Sequence, residues 1–257
     1  MKISAVIITY NEEKRLEAAL RSVKKIASEI VVVDSFSTDD TVKVAKKYDA
    51  KVYKREWTNY ADQKNYANRK ASHTWILSLD ADERLSPGLQ REILALKAGE
   101  PEEAGFSMPR QVYYLGKWIL HSGWYPDRKI RLFKKDDAFW QGEYVHEELV
   151  VKGKVTKLES PIYHLTYRDI QDHLKRINQF SSLGAQKLYA SGKKCRWYHL
   201  VVLPPQRFVK SFFLKAGILD GFAGLVIAML HSYAIFARYA KLKEIWKKGE
   251  RIEPFPD

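Results

Sequence analysis

The chain has 257 residues, of which 46% are hydrophobic and 29% are charged, and its formal net charge is +13. This apolar content is enough for a sizeable core, so a globally disordered chain is excluded. The single cysteine, Cys195, excludes a disulfide framework and a cysteine-rich metal site, and it suits a reducing cytoplasm. The apolar run Ile3–Ile8 is too short for an export signal, so we expect a buried strand there.

The positive charge is concentrated in the second part of the chain. Residues 151–257 contain 19 Lys and Arg against 8 Asp and Glu, whereas residues 1–150 contain 25 against 23. A basic tail predicts an anionic partner, which is either nucleic acid or an acidic bilayer surface.

Short β-rich runs alternate with helical patterns through residues 1–100. The predicted elements are a strand at Ile3–Ile8, a helix at Glu13–Lys25, a strand at Glu29–Val33, a helix at Asp39–Lys47 opened by a capping box of Ser37 and Asp40, a strand at Lys51–Lys54, a helix at Ala61–Lys70 and a strand at Trp75–Leu79. This alternation predicts βαβ units and an α/β fold with a mostly parallel sheet. The near-continuous apolar strands fit a sheet that is covered on both faces.

The pattern changes after Gly105. Residues 105–118 and 130–133 predict longer, partly antiparallel strands joined by Gly- and Pro-bearing turns. From Asp169 to Tyr189 the apolar spacing is helical again. We therefore expect a catalytic domain over residues 1–168, with halves at 1–100 and 101–168, and a helical extension over residues 169–257.

Polar side chains follow three strands of the predicted sheet. The first strand ends in residues 9–12 (TYNE), the second in Asp34, and the fourth in residues 80–83 (DADE). Ligands bind at the carboxyl ends of strands in open parallel sheets, and Mg²⁺ or Mn²⁺ prefers carboxylate oxygens. Taken alone, the Asp80–Asp82 pair is a weak signal, because such pairs are common in acidic turns, and the simpler alternative is a solvated turn before a helix that starts at Ser86 and Pro87. Three such strand ends in one sheet favour a binding site.

These motifs resemble a known family. The ordered set of residues 7–12 (IITYNE), 33–41 (VDSFSTDDT) and 78–83 (SLDADE) is similar to the family-two glycosyltransferases of GT-A fold, and residues 57–67 match the segment between them. The set spans about 80 residues and is quite specific. Residues 121–149 and the tail resemble bacterial lipopolysaccharide-core transferases of the β-glucosyltransferase type. The resemblance implies a GT-A fold, a Rossmann-like and mostly parallel sheet flanked by helices, with a membrane-associated helical extension.

The resemblance also implies roles for individual residues of the donor half. The residues expected to bind the nucleotide sugar are Thr9, Tyr10, Asn11, Glu12, Asp34, Ser37, Lys64, Asp80 and Ala81. Asp82 would hold a divalent metal, Mg²⁺ or Mn²⁺, together with Asp80 and with His164 as a late histidine. For Lys64 the simpler alternative is a solvated helix lysine, and for His164 it is a structural histidine.

The acceptor half must supply a base for the acceptor hydroxyl. Glu147 is the candidate, with Glu148 and Asp127 as alternatives, and strand alternation predicts that only one of Glu147 and Glu148 faces the cleft. Arg128 and Arg131 are expected to stabilise the leaving diphosphate or to bind acceptor phosphates.

Two residues are expected to contact the acceptor itself. Trp124 is expected to stack on an acceptor sugar, although a core tryptophan is an equal alternative. Asp127 is the second residue expected to contact the acceptor.

The tail is aromatic and apolar between clusters of Lys and Arg. Its longest uninterrupted apolar run is Gly221–Leu230, ten residues, which is shorter than the ~20 residues that cross a bilayer. We therefore expect helices that lie in an anionic membrane interface, or a buried hairpin that covers the catalytic domain.

The sequence thus predicts an inverting, metal-dependent hexosyltransferase. By resemblance, it would move glucose from UDP-glucose or another nucleotide-diphosphate sugar to a lipopolysaccharide core or other lipid-linked saccharide. It would act at the cytoplasmic face of the inner membrane as a peripheral, monotopic protein. A polyprenyl-phosphate glycosyltransferase is the alternative that would need no base.

Two other classes are less consistent with the sequence. A nucleotidyltransferase would need a Gly-rich basic loop after the first strand, which residues 9–13 lack. A non-catalytic protein that binds nucleic acid or another anionic surface would leave the carboxylates unexplained, so no nucleic-acid partner is expected.

Overall fold

The computed structural model describes residues 1–142 and 147–248. The chain forms two compact units, one of residues 1–111 and 127–164 and the other of residues 112–126 and 165 onward. The second unit thus starts near the predicted boundary at residue 168, but it also takes residues 112–126 from within the predicted acceptor half.

The strands are β1 (Ile3–Thr9), β2 (Glu29–Asp34), β3 (Lys51–Lys54), β4 (Trp75–Asp80), β5 (Glu83–Leu85), β6 (Gly105–Tyr114), β7 (Lys117–Trp118), β8 (Asp127–Lys134), β9 (Ala138–Gln141), β10 (Glu148–Val151), β11 (Val155–Lys157) and β12 (Ile162–His164). The helices are α1 (Glu13–Val23), α2 (Thr41–Lys47), α3 (Tyr60–Lys70), α4 (Pro87–Lys97), α5 (Ile170–Ala190), α6 (Trp197–Val201), α7 (Leu203–Val209) and α8 (Gly221–Lys248). Between α7 and α8 lie a π-helical turn, Lys210–Leu214, and a 3-10 turn, Gly217–Asp220.

The first unit is built on a mixed sheet. The strands β3, β2, β1 and β4 are parallel neighbours in that order, and β8 and then β6 continue the sheet antiparallel. Residue Thr9 pairs with Asp34, and Ile8 pairs with Asp80. This register brings the carboxyl ends of β1, β2 and β4 to one edge of the sheet, as the sequence predicts.

Both faces of this sheet are covered, because successive side chains of a strand point to opposite faces. From β1, Ile3, Ala5 and Ile7 pack in one buried cluster with α1, whereas Val6 and Ile8 pack in the other with α3. All seven residues of β1 are buried. The predicted α/β, GT-A-like architecture with a Rossmann-like sheet is therefore confirmed.

The predicted capping box at the start of α2 is wrong. The helix begins at Thr41, and Asp40 at its N-terminal boundary makes no side-chain capping hydrogen bond. The Ser37 hydroxyl instead donates to Asp34 at 2.5 Å, which anchors it at the end of β2. The start of α4 does follow the sequence signal, because the Ser86 hydroxyl accepts from Leu89 N and Pro87 follows it.

The tail forms a longer helix than its apolar run suggests. Within the described residues, one helical stretch, Gly217–Lys247, has the length and mean hydropathy, 1.6, of a membrane-crossing segment. The prediction that no segment is long enough is therefore wrong on length, because the helix continues through His231 and Ser232. Length and composition alone do not distinguish a spanning helix from a core helix.

The core of the first unit makes a direct stability prediction. Leu16→Ala in α1 removes a fully buried side chain, so we expect the free energy of unfolding in urea to fall by about 2–5 kcal/mol. Leu94→Ala in α4 is the matched control, because Leu94 is exposed and its truncation should cost no more than about 0.5 kcal/mol. Equal losses for the two variants would contradict the assignment of α1 to the core.

Candidate active site

The ends of β1 and β2 are joined by one hydrogen-bond network. The Asn11 amide oxygen accepts from Thr38 N at 2.9 Å, and Asn11 N donates to the Ser37 hydroxyl at 2.9 Å. Ser37 in turn donates to Asp34 from both its backbone and its side chain, and Asp34 is fully buried. Asn11 has a φ of 51°, in the left-handed region that asparagine tolerates better than most residues. Three predicted nucleotide-binding residues are thus brought together.

The other residues of the first strand end differ in what they offer. Thr9 is buried, and its hydroxyl has no hydrogen-bond partner within the described residues. The Tyr10 ring is exposed. The Glu12 side chain makes no capping hydrogen bond at the start of α1, but the Glu12 backbone N–H donates to the Thr41 hydroxyl at 2.8 Å. Ala81 is buried in the core, so its methyl group is packed against protein and only its backbone could meet a nucleotide.

Asp80, at the end of β4, lies between two buried cations. One oxygen is 2.9 Å from Lys64 Nζ and the other is 2.5 Å from Arg131 Nη2. Burial alone would raise the pKa of Asp80, but the charges of Arg131 and Lys64 outweigh it and hold that pKa well below its usual range. Asp80 is therefore an anion whose oxygens are both paired, which leaves less capacity for the metal-binding role expected of it.

Arg131 is shared between two carboxylates. Its Nη2 also lies 2.7 Å from Glu83 Oε1, and Glu83 is 1% exposed. The other Glu83 oxygen accepts from Asp80 N at 3.2 Å. Burial would lower the pKa of Arg131, yet Asp80 and Glu83 together raise it above its usual value. Arg131 is expected to act on the diphosphate, but it also neutralises the charges of the two carboxylates Asp80 and Glu83.

Lys64 connects the donor half to the candidate base. The lysine is 2% exposed, and its Nζ is 3.1 Å from Glu147 Oε1 as well as 2.9 Å from Asp80. It also lies 4.5 Å from the ring centroid of Trp140, a cation–π contact. The neighbouring Asn65 exchanges two hydrogen bonds with the Trp140 backbone, at 2.7 and 2.9 Å. Lys64 is therefore buried, so the alternative of a solvated helix lysine is wrong.

Asp82 and His164 form the candidate metal pair. The Nε2 atom of His164 is 3.3 Å from Asp82 Oδ2, because β12 pairs with β5 so that His164 lies opposite Glu83. Burial would raise the pKa of Asp82, but the hydrogen bond and charge of His164 lower it overall. A carboxylate and an imidazole suit Mn²⁺, or Mg²⁺ with further oxygen ligands. Within the described residues, no three acidic, His or Cys side chains form a group that could hold a metal ion.

A cleft of about 430 Å³ opens beside this network within the first unit. Its lining residues are Asp80, Arg110, Arg128, Lys129, Ile130, Arg131, Trp140, Glu147, Glu148 and Leu149. Both Glu147 and Glu148 line it, so the prediction that only one faces the cleft is wrong. The reason is that Glu147 precedes β10 and does not follow strand alternation.

Residues 4–149 match the family described as Glycosyl transferase family 2. The chain belongs to this family. A glycosyltransferase of uncharacterized function from Rickettsia typhi is 34% identical over 262 residues, which cover 98% of this chain and 90% of that protein. The lipopolysaccharide core biosynthesis glycosyltransferase LpsC of Rhizobium meliloti is 30% identical, covering 93% of this chain and 94% of LpsC.

The crystal structure of Staphylococcus aureus TarS 1–349 in complex with UDP-GlcNAc aligns with a TM-score of 0.49 and 17% identity, over 97% of this chain and 93% of that one.

Two further predicted residues of this family-two glycosyltransferase, Arg128 and Asp127, make hydrogen bonds and ion pairs within the chain. Arg128 donates to Leu158 O at 2.8 Å and pairs with the exposed Glu159 at 3.0 Å. Asp127 pairs with Arg110 at 2.6 Å and with Lys129 at 3.2 Å. Burial would raise the pKa of Asp127, but these two cations lower it, which makes Asp127 a weaker base than an ordinary carboxylate.

Trp124, expected to bind the acceptor, belongs to the second unit and not to the cleft lining. Its indole N–H donates to His231 Nε2 at 2.9 Å. Its ring packs against Tyr114, Tyr167 and His173, with centroids 5.5 to 5.7 Å apart. The alternative of a core tryptophan describes it, because both its donor and its ring are used inside that unit.

Sequence reasoning assigned no role to Glu83, Trp140 or Arg110. Glu83 directly follows the acidic pair, so its position was visible in the motif, but its buried pairing with Arg131 was not. Trp140 and Arg110 had no local signal, because their partners are distant in the chain.

The Arg131–Glu83 pair supplies a second prediction. Arg131→Met removes the 2.7 Å ion pair of the buried Glu83 and leaves it, among the described residues, only the 3.5 Å ion pair with Arg110. It also removes one ion pair of Asp80. We therefore expect a loss of about 3–5 kcal/mol in the free energy of unfolding. Arg128→Met should cost no more than about 1 kcal/mol, since its partner Glu159 is exposed. The double variant Glu83→Gln with Arg131→Met should recover part of the loss, and failure to recover any would contradict the charge argument.

Proposed function

We propose that this family-two glycosyltransferase is an inverting, metal-dependent hexosyltransferase that uses a nucleotide-diphosphate sugar. The observation that carries the proposal is the shared edge of β1, β2 and β4, where Asn11, Asp34 and Asp80 meet beside the cleft that contains Glu147. Ligand sites of open α/β sheets lie at this edge.

The nucleoside would bind at the ends of β1 and β2. Asp34 would orient Ser37, and through it Asn11, toward the ribose or base, because Asp34 is fully buried and both its oxygens accept from Ser37. The exposed ring of Tyr10 would cover one face of the base. The unsatisfied Thr9 hydroxyl would gain a partner from the nucleotide. UDP-glucose is the donor to test first, on the resemblance stated above.

The diphosphate would bind between the metal pair and the buried cations. Asp82 and His164 would hold Mg²⁺ or Mn²⁺, which would act as a Lewis acid toward the leaving diphosphate. Lys64 would add positive charge on the side of Asp80. The Lys64 ammonium group is already buried away from water, so little solvent reorganisation would be needed when a diphosphate binds.

Glu147 would be the base. The acceptor oxygen would attack the anomeric carbon opposite the diphosphate, and its proton would pass to a Glu147 carboxylate oxygen as the glycosidic bond forms. The bond from that carbon to the diphosphate oxygen would break at the same time, and its electron pair would leave with the nucleoside diphosphate. Single displacement inverts the anomeric configuration. Asp127 is disfavoured because of its lowered pKa, which leaves Glu148 as the alternative on the same cleft wall.

The acceptor would be a lipid-linked saccharide, with lipopolysaccharide core as the first choice. Support comes from the name of LpsC, which matches over 93% of this chain. Such an acceptor is consistent with the long apolar helix and the basic tail. We place the protein on the cytoplasmic face of the inner membrane, where cytosolic nucleotide sugars are available.

Metal dependence is tested by Asp82→Asn. Loss of the metal-binding carboxylate should lower release of nucleoside diphosphate from the donor by at least about a hundredfold in the presence of Mn²⁺ and a membrane-lipid extract. Asp136→Asn, on an exposed turn, is the isosteric control and should behave as the unaltered protein. Full activity of Asp82→Asn, or activity that persists in EDTA, would overturn the proposed metal site.

The base is tested by Glu147→Gln. We expect kcat to fall by about 10²–10⁴-fold while donor binding, measured by calorimetry, changes little. Glu148→Gln should retain activity. Unchanged kcat in Glu147→Gln would instead favour transfer to a polyprenyl phosphate, an acceptor that needs no base.

A further inference from the structure

The exposed face of α8 is apolar over its N-terminal half. We call the five residues on it the apolar stripe: Phe222, Leu225, Met229, Tyr233 and Phe236. Their spacing of three or four residues places them on one side of the helix over roughly 21 Å. Each is at least 39% exposed. An apolar surface of this extent on a folded protein marks an interaction site.

The segment before α8 adds a second apolar surface in the same unit. We call Phe213, Leu214, Ile218 and Leu219 the apolar turn, and Leu214 is 76% exposed. The Phe213 ring packs against the Phe212 ring, with centroids 5.1 Å apart, and is still 55% exposed. The apolar turn therefore exposes apolar side chains beside those of the apolar stripe in the chain.

The opposite face of α8 is used inside the second unit. Ala223, Ile227 and Ala228 are buried there, and the Ser232 hydroxyl donates to Pro204 O at 2.8 Å. His231 accepts from the Trp124 indole at 2.9 Å. These side chains are buried or hydrogen-bonded inside the unit, whereas the residues of the apolar stripe are exposed.

The C-terminal half of α8 is tied to the polar helix α5. Lys241 Nζ donates to Asn178 O at 2.7 Å and to the hydroxyls of Ser181 and Ser182 at 2.8 Å. If α8 crossed a bilayer, either these bonds would break or the charged residues of α5 would enter hydrocarbon. A charged side chain at a bilayer centre costs at least about 2.5–3.5 kcal/mol, so crossing is unfavourable.

The charge around both apolar surfaces is almost entirely positive. Residues 193–248 contain 11 Lys and Arg but only two acidic residues, Asp220 and Glu244. Asp220 is buried and pairs with His121 at 3.2 Å, so it adds little negative charge to the surface. Lys210 precedes the apolar turn, Lys215 lies within it, and both are exposed. This pattern complements an anionic surface that also accepts apolar groups.

We propose that the apolar stripe and the apolar turn together insert into one leaflet of an anionic bilayer, with α8 parallel to the membrane and not across it. This inference rests on the proposed function, because it supplies the surface on which a lipid-linked acceptor is met. It names the residues that enter the lipid. It also assigns α8, which is long enough to cross a bilayer, to the membrane interface.

The first test is binding to vesicles. Full-length protein is sedimented with vesicles of phosphatidylcholine alone or with 30% phosphatidylglycerol (about one lipid in three, enough to give a negative surface). We expect binding only to the anionic vesicles and a loss of at least about tenfold in the partition coefficient for Phe213→Ser with Leu214→Ser. Leu94→Ser, an exposed leucine of the first unit, is the matched control and should bind normally. Equal binding to both vesicle types, or no effect of the double variant, would overturn the proposal.

The second test measures orientation. In a Cys195→Ser background, single cysteines at Phe222, Met229 and Phe236 are labelled with an environment-sensitive fluorophore and quenched by lipids that carry quenchers at two depths. An interfacial helix predicts similar shallow depths for all three. A label at Met229 much deeper than the other two would show a spanning helix, and labels that become buried without vesicles as protein concentration rises would show a second copy on the stripe. Either result would overturn the proposal.

The same samples separate this inference from the proposed function. Donor binding, measured by calorimetry, requires neither vesicles nor the apolar stripe and apolar turn. It should therefore be unchanged in Phe213→Ser with Leu214→Ser. Vesicle binding without donor binding would overturn the transferase proposal alone. Donor binding without vesicle binding would overturn the membrane inference alone.

Discussion

The balance of buried charge around Asp80 and Glu83 organises the first unit. Both carboxylates lie where β4 ends and β5 begins, and their cations come from distant elements, Lys64 from α3 and Arg131 from β8. An unpaired buried charge costs several kcal/mol, so these pairings fix where α3 and β8 lie relative to the strand end. The wall of the cleft follows from them, because Lys64 also contacts Trp140 and Glu147. Charge pairing here specifies geometry more than it adds stability.

The parallel half of the sheet could be predicted from the sequence because its information is local. Apolar runs such as those of β1 and β2 are buried on both faces, and parallel register brings their polar ends to one edge without further information. That was enough to place Asn11, Asp34 and Asp80 at one edge of the sheet. The boundaries of these strands differ from prediction by a single residue, at Thr9, Asp34 and Asp80.

The pairings that complete the site could not be predicted, because they join residues far apart in the chain. Lys64 and Glu147 are 83 residues apart, and Arg131 and Glu83 are 48 apart. Partners of this kind are brought together where β8 pairs antiparallel with β4 and where β12 pairs antiparallel with β5. No short sequence pattern indicates the register of these pairings. The tail has a different difficulty: α8 is apolar on both its buried and its exposed face, so composition could not show which side packs on α5.

The division of the chain into units has a consequence for how the protein is assembled. Residues 112–126 leave the first unit and complete the core of the second, where Tyr114 and Ile119 pack with Ile227. During synthesis, this excursion emerges long before its partners in α8 and must wait for them with its apolar side chains uncovered. No single truncation point separates the two units. A chain that ends at residue 164 keeps residues 112–126 but loses the residues of α8 that cover their apolar side chains. Exchange of tails between relatives would therefore require exchange of this internal segment as well.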